Sequence, residues 1–238
     1  MTEQAGSNAF ERMARSRFDY ETAGLDVPDV HSDPTEQWQR WFEEASAAGC
    51  VEPHAFVLGT VDHEGWPQSR YLLLRGADQR GFTFFTNYSS AKSEQLAASP
   101  KASMLFTWLQ LHRQVRVVGL VERVPDEESD EYFASRPQGS QIGAWSSPQS
   151  QPIPDRAWLE QRVEQMAHTF GDGPVPRPAF WGGWVLRPQR FEFWQGRPGR
   201  LHDRLRYTPA AGDSPAAGDP PVFGDAAHRE WRIDRLAP

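Results

Sequence analysis

The chain is predicted to fold as a small antiparallel β-barrel with peripheral helices, a mainly β architecture. Three observations predict it. Between residues 54 and 124 apolar residues recur with a period of two, in short runs broken by Gly, Asp and Asn, which is the pattern of hairpin-connected strands. A second set of alternating runs occupies 182–207 and 230–236. Helical periodicity is confined to a few short segments between these runs. At least seven short strands with few helices are best buried by curling the sheet onto itself. A length of 238 residues suits one large domain or two small ones and is enough for a substantial core.

In chain order, residues 1–32 are polar, with Arg12, Arg15, Arg17 and Tyr20 before Gly24, and read as a mobile N-terminal arm. The rest, 33–238, reads as one domain. Asp33 and Pro34 suit the N-cap and first position of a helix. Trp38, Trp41, Phe42 and Ala45 follow at helical spacing, so 34–48 is an amphipathic helix with its tryptophans in the core. Strands are expected at 55–61, 68–75 and 82–86, with turns at 62–65 and 77–81. A polar loop at 87–90 leads into a short helix, 91–99, ended by Pro100. Strands 102–109 and 114–124 follow, joined by a turn near 111–113.

Residues 126–135 form a helix whose acidic start suits the helix dipole. Residues 136–152, rich in Ser, Gln, Gly and Pro, read as an ordered loop that carries function. A further amphipathic helix spans 155–170, and 171–178 is turn-rich. Strands are expected at 182–194 and 201–207. Ala, Gly, Asp and Pro dominate 208–226, which reads as a disordered insertion. A last strand covers 230–236.

Composition excludes several classes. A net charge of −7 argues against a general nucleic-acid binder. The single cysteine, Cys50, excludes an intrachain disulfide framework, suits a reducing compartment, and reads as a small buried apolar residue. No apolar run approaches the roughly 20 residues of a membrane helix, and the first 17 residues lack a signal-peptide core. A cytoplasmic protein is therefore expected. There is no Gly-x-Gly-x-x-Gly, no P-loop, no zinc spacing, hence no metal site, and no nucleophile elbow.

The residues that could carry chemistry point instead to anionic ligands. In Phe191-Glu-Phe-Trp-Gln-Gly-Arg-Pro-Gly-Arg-Leu-His-Asp-Arg204 a strand breaks at a Gly/Pro turn and resumes, placing Arg200, His202 and Arg204 on one face if extended. Two guanidiniums beside an imidazole, with Trp194 across the turn, could hold a planar anion; a solvated hairpin edge would use the same residues. Arg70 and Arg75 bracket the apolar run Tyr71, Leu72, Leu73, Leu74, and an Arg within a barrel strand needs a partner. Lys92 opens a helix just after Asn87-Tyr-Ser-Ser90, a setting that suits phosphate. It is informative because all basic residues but Lys92 and Lys101 are Arg. Arg136, Ser140, Gln149 and Ser150 add further capacity. Together this exceeds one phosphate's needs and suits a phosphorylated cofactor plus a phosphorylated substrate; for each residue singly, a surface position or an ion pair is the competing reading.

Several motifs in order carry a resemblance to a known family: Ser135-Arg-Pro-Gln-Gly-Ser-Gln-Ile-Gly-Ala-Trp145, Phe180-Trp-Gly-Gly183, Glu192-Phe-Trp-Gln-Gly196, Arg200-Leu-His-Asp-Arg204 and Arg235-Leu-Ala-Pro238. The chain resembles pyridoxamine 5'-phosphate oxidases from about Arg17 to its end. The resemblance implies an FMN-binding split β-barrel that dimerises with FMN at the interface. It implies hydride transfer from pyridoxamine or pyridoxine 5'-phosphate to FMN, reoxidation by O2, and release of pyridoxal 5'-phosphate and H2O2. For FMN it implies contacts from Arg70, Tyr71, Leu72, Leu73, Leu74, Arg75, Phe85, Thr86, Lys92 and Gln114, with Gln149, Ser150, Trp194 and Arg204 supplied by the partner subunit. For substrate it implies Tyr132, Arg136 and Ser140 on the phosphate, with Arg75 close by. Arg200, Leu201 and His202 would sit at the substrate base and its reacting end, with Arg200 and His202 catalytic. Arg17 and Tyr20 would belong to an arm over the substrate.

Three departures stand out. The family usually has Lys where this chain has Arg75, often has Arg where it has Ala91, and has a shorter 208–226 connection. Two other readings use the same residues. One is a flavin oxidase or deazaflavin-dependent reductase of the same barrel class with another substrate, such as a phenazine-type compound. The other is a non-catalytic flavin- or pyridoxal-phosphate-binding protein.

Overall fold

The period-two runs do become strands. The computed structural model describes residues 24–210 and 229–238, and contains one antiparallel sheet of nine strands among them. These are β1 (Ala55–Val61), β2 (Pro67–Leu73), β3 (Gly76–Asp78), β4 (Gly81–Asn87), β5 (Lys101–Trp108), β6 (Arg113–Arg123), β7 (Trp181–Gln195), β8 (Asp203–Pro209) and β9 (Trp231–Arg235). The order is β2-β1-β5-β6-β7-β4-β3, with β8 on β7 and β9 on β8. The long β7 is the spine. Along one edge its first half pairs with β4 and its second half with β8, while its other edge pairs with β6 from Trp184 to Gln195. The β6–β7 register shifts between Val118 and Gly119, opposite Pro188. A side chain at Gly119 would lie 2.1 Å from the Arg187 carbonyl, so only glycine allows this close approach.

Five helices flank the sheet in the described residues: α1 (Pro34–Ala47), α2 (Ala91–Ala98), α3 (Asp126–Ser135), α4 (Gln138–Ser146) and α5 (Arg156–Phe170). Asp33 caps α1, accepting from the Thr35 and Glu36 amides. Trp38 and Trp41 drive α1 into the sheet, each meeting a core phenylalanine edge-on, Phe82 at 5.0 Å and Phe193 at 5.3 Å. Cys50 is buried in the same core.

The structure corrects the sequence reading in several places. Residues 136–152 are not a loop throughout, because α4 occupies their first half. Its Gly and Ser content hides it, and the helix is held by burial of Ile142 against Phe133 and Trp181. Helix α5, expected to be amphipathic, buries no residue fully but packs Met166, Ala167 and Phe170 against the cluster around Phe133 and Trp181. The short β3 replaces part of an expected turn. The strand expected at 201–207 begins only at Asp203, and Arg200 lies in a 3-10 turn with a left-handed φ of 63°. Arg200, His202 and Arg204 therefore do not share one strand face.

Residues 24–32, expected to belong to a mobile arm, lie against β8 and β9. The Leu25 amide donates to Asp203 (3.1 Å), and Tyr207 donates to the His31 carbonyl (2.8 Å). Arg17, Tyr20 and all but the first residues of the 208–226 insertion lie outside the described residues, and Thr208 and Pro209 end β8. Among the described residues no helix is long and apolar enough to cross a membrane.

Candidate active site

A cavity of about 470 Å3 opens between β2, β4 and the α3–α4 elbow. Its wall brings together seven residues expected at a cofactor, Tyr71, Leu72, Leu73, Arg75, Phe85, Thr86 and Gln149, and three expected at a substrate phosphate, Tyr132, Arg136 and Ser140. Asn87, Gly143, Ala144, Ser147 and Trp181 complete it and were not foreseen as site residues. Trp181 had a signal, the Phe180-Trp-Gly-Gly183 motif. Gly143 and Ala144 had one too, the Ser135–Trp145 motif, whereas Ser147 lies outside any motif and reaches the cavity only once α4 has formed. Leu74 does not line the cavity: it is buried in the core, donating its amide to the His54 carbonyl.

Beside the cavity lie two cations, one buried and one half-buried. Lys92, in the first turn of α2, is 7% exposed. Its ammonium donates to Gln149 Oε1 (2.9 Å), Ser90 Oγ (3.0 Å) and Thr86 Oγ1 (3.3 Å), all neutral acceptors. Arg70 donates to Thr60, to the Leu58 carbonyl and to Gln95 Oε1 (3.0 Å), again all neutral. Burial, reinforced by the Arg70 charge, pulls the Lys92 pKa down to about 8, and burial also lowers that of Arg70. A buried and a half-buried cation held by neutral groups are a ready site for a phosphate dianion. The resemblance assigned Gln149 to the partner subunit's cofactor; here its amide serves the lysine of its own chain. Ser150, next to it, is exposed with φ of 73° and does not line the cavity.

A second cationic position lies on the cavity wall itself. Pro137 ends α3, leaving Arg136 extended at the elbow. Its guanidinium lies over the faces of Trp181 (4.6 Å) and Phe133 (5.4 Å), and its buried Nη1 has no hydrogen-bond partner among the described residues. Burial lowers its pKa; the nearby Tyr132 opposes this and Arg75 adds to it. The rings of Phe85, Tyr132 and Trp181 are nearly parallel, with Phe85 4.0 Å from Tyr132 and 5.6 Å from Trp181. An aromatic wall in a cavity with cations nearby suits a planar ligand with a phosphate at its end.

Gln114, Trp194, Arg200, Leu201, His202 and Arg204 form a separate group that does not line this cavity. Gln114, Trp194 and Arg204 are cross-strand neighbours on β6, β7 and β8. His202 packs on Trp194 with ring centres 4.7 Å apart, and its Nδ1 accepts from the Arg197 amide (3.1 Å). That bond leaves Nε2 to carry the proton of the neutral ring. Burial and then the Arg200 charge hold the His202 pKa below its usual value. Arg204, unlike Arg136, is paired, donating twice to Glu192 (2.8 and 3.0 Å) and once to the Ala237 carbonyl (2.9 Å). Leu201 is 72% exposed.

Comparison with known proteins follows the same division of the chain. Residues 42–170 match the family described as "Pyridoxamine 5'-phosphate oxidase", and 181–238 match "Pyridoxine 5'-phosphate oxidase C-terminal dimerisation region". A pyridoxine/pyridoxamine 5'-phosphate oxidase of Ralstonia pickettii (strain 12J) is 51% identical over 95% of this chain and 99% of its own length. One from Cupriavidus taiwanensis is 49% identical with the same coverage. Among solved structures, PhzG from Burkholderia lata 383 in complex with tetrahydrophenazine-1-carboxylic acid superposes with a TM-score of 0.79 at 26% identity, covering 92% of this chain and all of that one. A pyridoxamine 5'-phosphate oxidase-related, FMN binding protein from Nostoc punctiforme shares the fold, with a TM-score of 0.63 at 17% identity over 84% of this chain and 97% of that one.

Proposed function

The chain belongs to the pyridoxamine 5'-phosphate oxidase family, and from that membership we propose the work of its residues in an FMN-dependent oxidase that makes pyridoxal 5'-phosphate. The overall change converts pyridoxamine 5'-phosphate, O2 and water to pyridoxal 5'-phosphate, ammonia and H2O2; pyridoxine 5'-phosphate needs no water and releases no ammonia. When bound, FMN supplies the two-electron acceptor that no side chain of the chain can provide. One observation carries the assignment of sites: one cavity is lined both by Arg136 and by Thr86 and Gln149, the acceptors of the Lys92 ammonium, and among the described residues Lys92, Arg70 and Arg136 have no carboxylate partner.

In this reading Lys92 and Arg70 hold the FMN phosphate, with Thr86 and Gln149 beside it. Tyr71, Leu72, Leu73 and Phe85 line the cofactor. Arg136, Tyr132 and Ser140 hold the substrate phosphate, and Arg75 lies close enough to Arg136 to add its charge. Fixing a substrate at its phosphate orients the reacting carbon, which is the protein's main contribution here. Arg200 and His202 lie off this cavity. We infer that they complete the partner subunit's site, together with Gln114, Trp194 and Arg204, so that FMN lies at the interface of a homodimer. The match of 181–238 to a dimerisation region supports this arrangement. A neutral His202 with its proton on Nε2 can donate a hydrogen bond to the substrate's amine or alcohol end and so hold the reacting carbon in place. The single cysteine, buried and free, fits the reducing setting of a cytoplasm.

The phenazine-type reading rests on the PhzG superposition. The 51% identity to a pyridoxine/pyridoxamine 5'-phosphate oxidase, against 26% to PhzG, favours the vitamin B6 substrate. The decisive assay adds pyridoxamine 5'-phosphate in air to purified protein with a flavin spectrum and follows pyridoxal 5'-phosphate and peroxide. Equal amounts of both support the proposal. A flavin spectrum with neither product refutes the substrate.

A further inference from the structure

We infer that Trp181 is a positioning residue for this reaction, an aromatic platform that aims Arg136 at the substrate phosphate without using any of its hydrogen-bond donors. The inference deepens the function proposed above and rests on it for the identity of the anion.

An arginine at an anion site must be held in place, yet remain free to donate. A carboxylate would hold it but would take a pair of donors and cancel its charge. Arg177 shows that alternative on the same elements: it is bound by Asp126 and Asp130 of α3 and spends a third donor on the Trp181 carbonyl (2.7 Å). Arg136 has no such partner among the described residues. What it has is the indole face of Trp181 at 4.6 Å, with the Phe133 ring at 5.4 Å. A ring face attracts a cation through its quadrupole and accepts no hydrogen bond in the guanidinium plane. The plane stays free for phosphate, and the unpartnered, buried Nη1 is what such an arrangement leaves over.

The platform is itself fixed. Trp181 is 6% exposed. Its ring lies parallel to that of Phe85 and meets Phe133 edge-on at 5.0 Å. Its amide donates to the Pro178 carbonyl (3.0 Å), and its carbonyl accepts from Arg177. Two residues on, a Cβ at Gly183 would come within 2.7 Å of the Phe85 ring, so the close packing of this wall requires glycine there. Trp181, Arg136, Tyr132 and Ser140 all line one cavity.

The test uses the FMN-loaded enzyme, in which inorganic phosphate has the Arg136 position to fill. Phosphate affinity is measured by calorimetry, and KM and kcat with pyridoxamine 5'-phosphate, for wild type, Trp181→Leu, Trp181→Phe, Arg136→Gln and the Trp181→Leu/Arg136→Gln double variant. Trp181→Leu is expected to raise both the phosphate Kd and KM about tenfold, with kcat changed by less than about twofold, and Trp181→Phe to restore most of the loss. In the Arg136→Gln background, Trp181→Leu should add less than about twofold, because its effect passes through the arginine. A full effect in that background, or a fall in kcat at unchanged phosphate Kd, overturns the inference. Trp181→Met replaces Trp181→Leu if the latter does not melt cooperatively. Phosphate binding that depends on Trp181, in an enzyme that does not oxidise pyridoxamine 5'-phosphate, would overturn the substrate and leave the platform standing.

Discussion

Replacing Lys92 with methionine tests the cofactor side of the cavity most directly, because its lysine is charged at a cost. Burial and Arg70 lower its pKa from 10.5 to about 8. That gap corresponds to about 3 kcal/mol of disfavoured charge in the FMN-free protein. A phosphate dianion reverses the balance, since a charged Lys92 then gains an opposite charge at hydrogen-bond range. The sign follows from proton linkage. Below pH 8 Lys92 is already protonated and FMN binds without proton uptake. Above pH 8 the free protein must take up a proton as FMN binds, so affinity falls. Between pH 7 and 9 the FMN Kd should rise about tenfold, measured by flavin fluorescence quenching at constant ionic strength.

Lys92→Met should weaken FMN binding at pH 7 by about 30-fold or more, the loss of a charge-assisted bond to phosphate, and should flatten the pH dependence. The FMN-free variant should also be more stable than wild type below pH 8. For the wild type the unfolded chain binds the extra proton between pH 8 and 10.5, so its stability should rise with pH across that window. A wild-type Kd that is flat from pH 7 to 9, or a slope that survives in Lys92→Met, refutes the assignment of Lys92 to the FMN phosphate.

Other predictions concern the second group and the scaffold. His202→Ala and Arg200→Ala should each lower kcat by about 100-fold while leaving FMN retention, followed by gel filtration and absorbance, unchanged; equal losses of both would mean that these residues serve the cofactor instead. Since His202 is held neutral by burial and Arg200, the acid limb of the wild-type kcat/KM profile should fall below the usual histidine range, and it should vanish in His202→Ala. Gly183→Ala would push a methyl group to 2.5 Å from Val124 and 2.7 Å from the Phe85 ring, and should cost about 2 kcal/mol in a denaturant titration. Asp33→Ala removes the α1 cap and should cost about 1 kcal/mol in the same titration, with FMN affinity unaltered.

Local patterns carried the strands and most helices. Period two marked β1 and β6 because each lies with one face on the core, and alternation is the direct trace of that burial. Asp33-Pro34 and the Trp38/Trp41 spacing marked α1 because capping and amphipathicity are written within a dozen residues. Failures fell where local signals are weak. Helix α4 is built from Gln, Gly and Ser, poor evidence for a helix until Ile142 has a place to dock. The turn at Arg200 follows Gly199, whose left-handed φ of 64° an extended reading cannot show.

The sequence by itself determined which chemical groups the site contains: a rare lysine after a run of hydroxyls, an arginine before a proline, and the Arg200-Leu-His202 motif. Only the tertiary structure decided which of them meet. Lys92 and Gln149 are 57 residues apart, and Arg136 reaches Trp181 across the α3–α4 elbow and the start of β7. It also decided that Arg136 and Lys92 are held by neutral partners while Arg204 is paired with Glu192. Whether a cation is spent on a carboxylate or kept for a ligand depends on what burial places next to it, and pairs so distant along the chain leave no periodicity to read.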